Sequence, residues 1–224
     1  MSYSGKVKPG GPAAVRELPK LVLSKLSVGP MDNNAYLLRC RASGEQLLVD
    51  AANEPDRLLA LVGEDGLVGV VTTHRHGDHW QGLADVVAAT GARTYAHPLD
   101  ATDIPVETDV FLADGDRLRF GDIELAVVHL VGHTPGSIAL VYDDPDGDSH
   151  VFTGDCLFPG GWAARCRRRT SGRCWRGCPR SCSGGSRTRR RCIRAMGTTP
   201  PSAPNGPTWP NGRLAAGNPR ALGS

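Results

Sequence analysis

Thr73-His74-Arg75-His76-Gly77-Asp78-His79-Trp80 places three histidines and one carboxylate within six positions, directly behind an apolar run. The run, residues 67–71, is continuous rather than alternating, which is typical of a strand buried on both faces. If the chain stays extended past Thr73, a spacing of two residues puts His74 and His76 on the same side. The sequence therefore predicts most of a metal site at the end of a buried strand.

Asp78 and His79 follow at the predicted start of a helix, for which Gly91 is well placed as the C-terminal cap. Each candidate ligand also has a simpler interpretation. Asp78 could cap the helix, His79 could be a solvated residue of its first turn, and His74 or His76 could be a loop histidine. These interpretations would have to coincide at four ligand-type side chains in one short window. The pattern as a whole favours a metal site.

The stretch THRHGDHW resembles the HxHxDH signature of the metallo-β-lactamase superfamily of metal-dependent hydrolases. Two further motifs are similar to that family in order and spacing. Residues 132–137 (GHTPGS) resemble its second histidine loop, and residues 152–155 (FTGD) resemble its strand-end aspartate. The resemblance implies an α+β fold, the four-layer αββα sandwich, with the C-terminal part missing or disordered in this chain.

His133 lies on a loop after a predicted strand and supplies a third neutral imidazole beside His74 and His76. Three histidines with an open coordination position are typical of a catalytic metal site and favour zinc. The resemblance implies up to two zinc ions, with iron or manganese as alternative metals. The predicted metal ligands are His74, His76, Asp78, His79, His133 and Asp155.

A second ion would be held by Asp78 and His79, with Asp155 bridging the two ions as it does in the family. The expected reaction uses a metal-bound hydroxide as the nucleophile, because zinc lowers the pKa of its bound water to about 7. Asp78 is the predicted catalytic residue, since it would orient the attacking water and take its proton. Cys156 is predicted to be a small buried residue rather than a ligand.

Within the superfamily, the chain looks most like the hydroxyacylglutathione hydrolase (glyoxalase II) group, over about residues 20–161. This implies hydrolysis of a thioester of a small hydroxy acid, so the expected partner is a small-molecule substrate. An alternative is a persulfide dioxygenase-like enzyme with one iron, which His74, His133 and Asp155 could bind. A second alternative is an inactive truncated family member. Metal identity and the consumed substrate would separate the two enzymes.

Charge and cysteine divide the 224 residues into two unlike parts. All 23 acidic residues lie at or before Asp155 together with 12 basic ones, and the 14 basic residues that follow are all arginines. Of the 7 cysteines, Cys40 and Cys156 lie in the front part, which implies no disulfide framework. No apolar leader or membrane-length apolar stretch is present in the sequence. We expect a cytoplasmic protein that does not contact membranes.

Three segments are predicted along the chain. Residues 1–19 are rich in Gly and Pro and predict a flexible N-terminal arm, and residues 20–161 predict an incomplete metal-binding domain. Residues 162–224 form an Arg/Cys-rich and then Pro/Gly-rich tail with no periodic apolar face. The predicted strands span residues 21–28, 36–40, 46–49, 92–96, 117–120, 124–130, 138–142 and 151–153, with a helix over 56–62.

The tail has two alternative interpretations. A basic nucleic-acid-binding arm is not favoured, because Trp175 is the only aromatic residue between the first and the last of the twelve arginines of residues 162–194. A shifted reading frame from about Trp162 is favoured instead. GC-rich codons for residues 192–197 (CIRAMG), read from the third base, give YPGHG, the context of a further metal histidine in the family. The chain as written would then lack that ligand and show low activity.

Overall fold

The computed structural model describes residues 5–158 and 161–162, with the backbone alone at 158, 161 and 162. The predictions for residues 163–224, including the shifted reading frame, lie outside the described residues. None of the described helices is long and apolar enough to cross a membrane.

The larger of two main sheets has seven strands in the order of the sequence. Its first four strands form an antiparallel meander, and the fourth to seventh strands are parallel. The strands are β1 (Ala14–Glu17), β2 (Leu21–Val28), β3 (Asn33–Cys40), β4 (Gln46–Val49), β5 (Gly69–Val71), β6 (Arg93–Ala96) and β7 (Val110–Phe111). Parallel neighbours need crossover connections, and helices supply them here. They are α1 (Pro55–Val62), α2 (Leu83–Thr90) and α3 (Pro98–Ala101).

The second sheet is antiparallel, in the order β11-β10-β9-β8. Its strands are β8 (Arg117–Phe120), β9 (Ile123–His129), β10 (Ile138–Tyr142) and β11 (His150–Phe152). A two-stranded hairpin follows, with β12 (Leu157–Phe158) and β13 (Gly161–Trp162). The predicted strands 21–28, 46–49, 117–120 and 138–142 are confirmed to the residue.

The two larger apolar clusters of the described residues separate three layers of the fold. One core lies between the sheets and includes Leu38, Leu125 and Leu140, whose side chains are fully buried. The other lies between the first sheet and the helices, where Leu58 of α1 and Leu83 of α2 are buried. Complete burial of each such side chain contributes about 1.5–3 kcal/mol, so both cores favour this layering. The predicted α+β sandwich is confirmed.

Three local features differ from the sequence predictions. Residues 14–17, expected within a loose arm, form the edge strand β1. The strand β5 ends at Val71 rather than at Thr73, and the expected helix after it begins at Leu83. Residues 77–79 form a short 3-10 turn instead. The predicted cap Gly91 is confirmed, with φ 65° and its N–H donating to the Val87 carbonyl.

The topology brings several chain segments to one end of the sandwich. The strands β4 and β5 are parallel, so their carboxyl ends reach the same sheet edge. Asp50 follows β4, and Thr73 follows β5 by two residues. The N–H of Ile138, which opens β10, donates to the Thr73 carbonyl at 2.9 Å. This bond joins the loop before β10 to the segment that carries the histidine motif.

Candidate metal centre

Three histidines converge as the sequence predicted. His74 is 1% exposed, and its Nε2 lies 3.1 Å from Nδ1 of His76 and 3.2 Å from Nε2 of His133. The ring centroids of these three residues are 4.6–4.8 Å apart. One nitrogen from each ring therefore points at a common space, which is the arrangement that one metal ion requires.

A second group of ligand-type atoms shares His74 with the first. Nε2 of His79 lies 3.2 Å from Oδ1 of Asp155, and Oδ2 of Asp155 lies 3.7 Å from Nε2 of His133. In each group, one donor atom per residue lies within 4.8 Å of the others. Asp155 therefore stands beside both groups, where the sequence prediction places a bridging ligand.

Asp78 is further from the cluster than the other predicted ligands. Its Oδ2 lies 4.0 Å from Nε2 of His79 and accepts a hydrogen bond from Nδ2 of Asn33 at 2.9 Å. The same amide group donates to the Asp78 carbonyl at 2.7 Å. Asn33, at the start of β3, thus fixes the Asp78 carboxylate at the rim of the cluster. Sequence reasoning did not identify Asn33, because a single asparagine at a strand start carries no pattern.

Asp50 is a second residue that the sequence analysis missed. It is 2% exposed, and its carboxylate accepts hydrogen bonds from the N–H and the hydroxyl of Thr73, each at 2.8 Å. Oδ2 of Asp50 also lies 2.9 Å from Nδ1 of His79. Because Nδ1 of His79 donates to Asp50, its Nε2 is directed into the cluster. An aspartate at the carboxyl end of a buried strand beside β5 was the available signal.

Burial and charge shift the pKa values of His74, His133 and His79 in different directions. Burial, with the neighbouring His79, lowers the pKa of His74 to about 2, and burial also lowers the pKa of His133. Burial acts in the same sense on His79, but Asp50 and Asp155 outweigh it and raise the pKa of His79 to about 10. Burial would raise the pKa of Asp155, yet the hydrogen bond and charge of His79 hold it below its usual value.

These residues fit a divalent metal. Neutral His74 and His133 already offer lone pairs, as ligation requires. Nε2 of His79 is buried and faces Oδ1 of Asp155 at 3.2 Å. A cation at this point would give that nitrogen a partner in place of its proton. Imidazole nitrogens and one carboxylate are the donor set that zinc and iron take in enzymes.

The histidines that the sequence analysis left out of the site lie elsewhere. The rings of His97 and His129 stack on each other with centroids 4.0 Å apart. His150 is 1% exposed and pairs with Tyr142 in the second sheet. Cys156 is buried, in agreement with its expected packing role.

The fold and the histidine cluster agree with the comparison with known families. The model of the metallo-beta-lactamase superfamily matches residues 28–165, more than half of the chain. The chain belongs to this superfamily.

The chain is similar to two further proteins. A hydroxyacylglutathione hydrolase of Fuscovulum blasticum is 39% identical over 131 residues, which are 58% of this chain and 50% of that protein. An uncharacterized protein of Aquifex aeolicus is 30% identical over 157 residues, covering 62% of this chain and 72% of its own length. The chain spans about half the length of the hydroxyacylglutathione hydrolases that it matches.

Two solved structures share this fold. TTHA1623 in a di-iron-bound form is 33% identical with a TM-score of 0.51, and the match covers 66% of this chain and 78% of that one. ETHE1 from Myxococcus xanthus is 28% identical with a TM-score of 0.53, covering 60% and 57%.

Proposed function

We propose that this protein is a metal-dependent hydrolase of thioesters, with a hydroxyacyl-thiol as the favoured substrate. The observation that carries the proposal is the pair of ligand groups that share His74, with Asp155 in the second group and 3.7 Å from His133 of the first. The relatives named hydroxyacylglutathione hydrolase support the substrate class.

The ligand assignment follows the two groups. His74, His76 and His133 would hold one zinc ion, and His79 with Asp155 and Asp78 would hold a second. When bound, such ions polarise a substrate carbonyl and bring the pKa of a coordinated water to about 7.

Asp78 is the proposed general base. Its Oδ2 is occupied by the hydrogen bond from Asn33, which leaves Oδ1 to orient a water molecule and accept its proton. The side chain is 23% exposed, so water reaches it while its orientation stays fixed. Replacement of Asn33 would release this carboxylate without removing any metal ligand.

A mononuclear-iron dioxygenase acting on persulfides is the second candidate. Nε2 of His133 lies 3.2 Å from Nε2 of His74 and 3.7 Å from Oδ2 of Asp155. These three residues therefore offer the two histidines and one carboxylate that a mononuclear iron site uses. The structural likeness to ETHE1 is compatible with this candidate. This candidate requires iron and consumes oxygen, whereas the hydrolase requires neither iron nor oxygen.

One experiment separates the candidates. The purified full chain is loaded with zinc or with iron and assayed against lactoyl and acyl thioesters, lactones, phosphodiesters and persulfides. We expect thiol release from thioesters by the zinc form, at the low rate that the reading-frame hypothesis implies for the chain as written, and a further loss of about 100-fold or more in the Asp78→Asn variant. Oxygen consumption with a persulfide by the iron form alone would support the dioxygenase. Cleavage of phosphodiesters alone would contradict the thioester proposal.

The metal assignment has its own control. The His74→Ala variant should lose bound zinc, because His74 belongs to both ligand groups. The His150→Asn variant replaces a histidine outside both groups and should keep it. An unchanged zinc content in His74→Ala would contradict the assignment.

A further inference from the structure

Asp100, on the short helix α3, connects the two loops that carry the proposed ligands. It is 0% exposed. Its Oδ2 accepts a hydrogen bond from the N–H of Arg75 at 3.1 Å, and Arg75 stands between His74 and His76. The same oxygen accepts from the hydroxyl of Thr134, the residue that follows His133. One buried carboxylate therefore bridges two segments that are far apart in the sequence.

The second oxygen of Asp100 strengthens its contact with the histidine loop before β10. Oδ1 accepts from the N–H of Gly136 at 2.8 Å. A Cβ atom at Gly136 would lie 2.7 Å from both Cγ and N of Asp100, so a larger residue would push the loop away. Asp100 therefore packs closely against this loop, and both of its carboxylate oxygens accept hydrogen bonds from it.

The base of α3 is attached to the same loop by a separate contact. His97, the N-cap of α3, accepts a hydrogen bond from the Leu99 N–H through Nδ1 at 3.2 Å. Its ring stacks on that of His129 at 4.0 Å, and Nε2 of His129 donates to the Pro135 carbonyl at 2.8 Å. The helix and the His133 loop are therefore held together at two points, which limits their relative movement.

We infer that Asp100 is a positioning residue that sets the distance between His133 and the pair formed by His74 and His76. This inference rests on the proposed metal-binding function. The three imidazoles come from two loops, and they bind one ion tightly only if both loops are already in place. Residues that orient metal ligands in this way typically contribute a factor of about 10–100 in metal affinity.

Two variants of Asp100 and one control test the inference in the full chain. Asp100→Ala removes both acceptors, and we expect its zinc affinity to fall by about 10–100-fold. Asp100→Asn keeps one oxygen, which can still bridge Arg75 and Thr134, so its loss should be smaller. Asp103→Asn is the matched control, because Asp103 pairs with the Arg75 guanidinium and contacts neither loop backbone. Its zinc affinity should stay within about twofold.

The readouts are zinc affinity by competition with a chelator and the visible absorption of the cobalt-substituted protein, which reports ligand geometry. Circular dichroism shows whether each variant folds. If Asp100→Ala fails to fold, Asp100→Asn and Thr134→Val carry the test, since each removes only part of the bridge. Weakened zinc binding with an altered cobalt spectrum in these variants would support the inference.

Three outcomes would overturn it. Folded Asp100 and Thr134 variants that bind zinc like the wild type would show that the bridge does not position the ligands. An equal loss in Asp103→Asn would show that the effect is not specific to Asp100. A wild-type protein that binds no metal would overturn the proposed function itself, and the inference with it.

Discussion

Nδ1 of His79 lies 2.9 Å from Oδ2 of Asp50, in a contact that is buried on both sides. Asp50 also holds Thr73, so one carboxylate orients the proposed ligand and fixes the backbone that leads to His74. The charge of Asp50, together with that of Asp155, keeps His79 protonated in the metal-free protein. Metal binding by His79 would therefore be coupled to proton release from this residue.

Zinc bound at the group formed by His74, His79 and Asp155 should release a proton from His79, and the Asp50→Asn variant should release less. The pKa of His79 is raised to about 10 in the metal-free protein, so at pH 7 the ion must displace that proton. It follows that zinc affinity weakens as the pH falls. Without the Asp50 charge, the pKa of His79 drops and less proton is displaced. Calorimetry in two buffers of different ionisation enthalpy measures the released protons.

Asp109→Asn is the control for this variant, because Asp109 accepts from the N–H and hydroxyl of Thr94 much as Asp50 does from Thr73. It lies in the segment before β7, away from the cluster. Proton release equal to the wild type is expected for Asp109→Asn. The same value in Asp50→Asn would contradict the coupling.

Buried Lys25 should give the fold a pH dependence of its own. It is 4% exposed, and burial lowers its pKa from 10.5 to about 8, against the opposing charge of Asp32. Between these two pH values the unfolded chain binds a proton that the folded chain does not. Stability from this group therefore rises with pH across that window, by on the order of 1 kcal/mol. The Lys25→Met variant should lack the rise.

The wild type must be compared with Lys25→Met, because His79 changes the free energy of unfolding with pH in the opposite direction to Lys25. The raised pKa of His79 contributes stability to the metal-free fold that is complete below pH 6.5 and is lost as the pH rises through about 10. Urea unfolding of the wild type and of Lys25→Met at pH 7.5 and 10 isolates the lysine. Lys20→Met, at an exposed position, is the control. A wild-type advantage that does not grow with pH would refute the prediction.

The clustering of the candidate ligands was easier to predict from the sequence than the residues that support them. His74, His76 and His133 were identifiable because ligand-type residues crowd one strand end and a matching loop. Asp50 and Asp100 were not, since each acts through contacts to residues 23 to 36 positions away, and a single aspartate after a strand or in a short helix looks like a turn or cap residue. Local patterns record periodicity and spacing, whereas these contacts exist only after the sheets pack.

Local structure near the motif was also mispredicted for a physical reason. The sequence favoured a helix starting at Asp78, but residues 77–79 form a tight turn and α2 begins at Leu83. The hydrogen bonds from Asn33 to Asp78 and from His79 to Asp50 fix both side chains in positions that a regular helix start would not supply. Tertiary contacts override helix propensity here.

The reading-frame hypothesis for the tail remains a prediction, because residues 163–224 lie outside the described part of the chain. Resequencing of the gene should show a missing or extra base near the codon for Trp162. A chain with the restored frame should bind up to two zinc ions, whereas the chain as written should retain one at most. A clean read, or two bound ions and full activity from the chain as written, would refute the hypothesis.

Gly154→Ala adds only one methyl group but should disturb both the fold and the proposed metal site. Gly154 has φ 48°, and a Cβ there would collide with Oγ1 of Thr73 and lie 3.0 Å from its Cβ. Thr73 cannot move aside easily, because Asp50 holds both its N–H and its hydroxyl. We expect a loss of roughly 2–4 kcal/mol in the free energy of unfolding. Displacement of the adjacent Asp155 should weaken zinc binding as well.

Gly91→Ala is the matched control for this last prediction. Gly91 has φ 65°, but a Cβ at this position meets nothing within 4 Å, so only the backbone conformation is penalised. Its expected loss is about 1 kcal/mol, with zinc affinity unchanged. Urea unfolding and zinc titration of both variants measure the difference. Equal losses of stability and of zinc affinity in the two variants would show that the contact between residue 154 and Thr73 does not constrain the site.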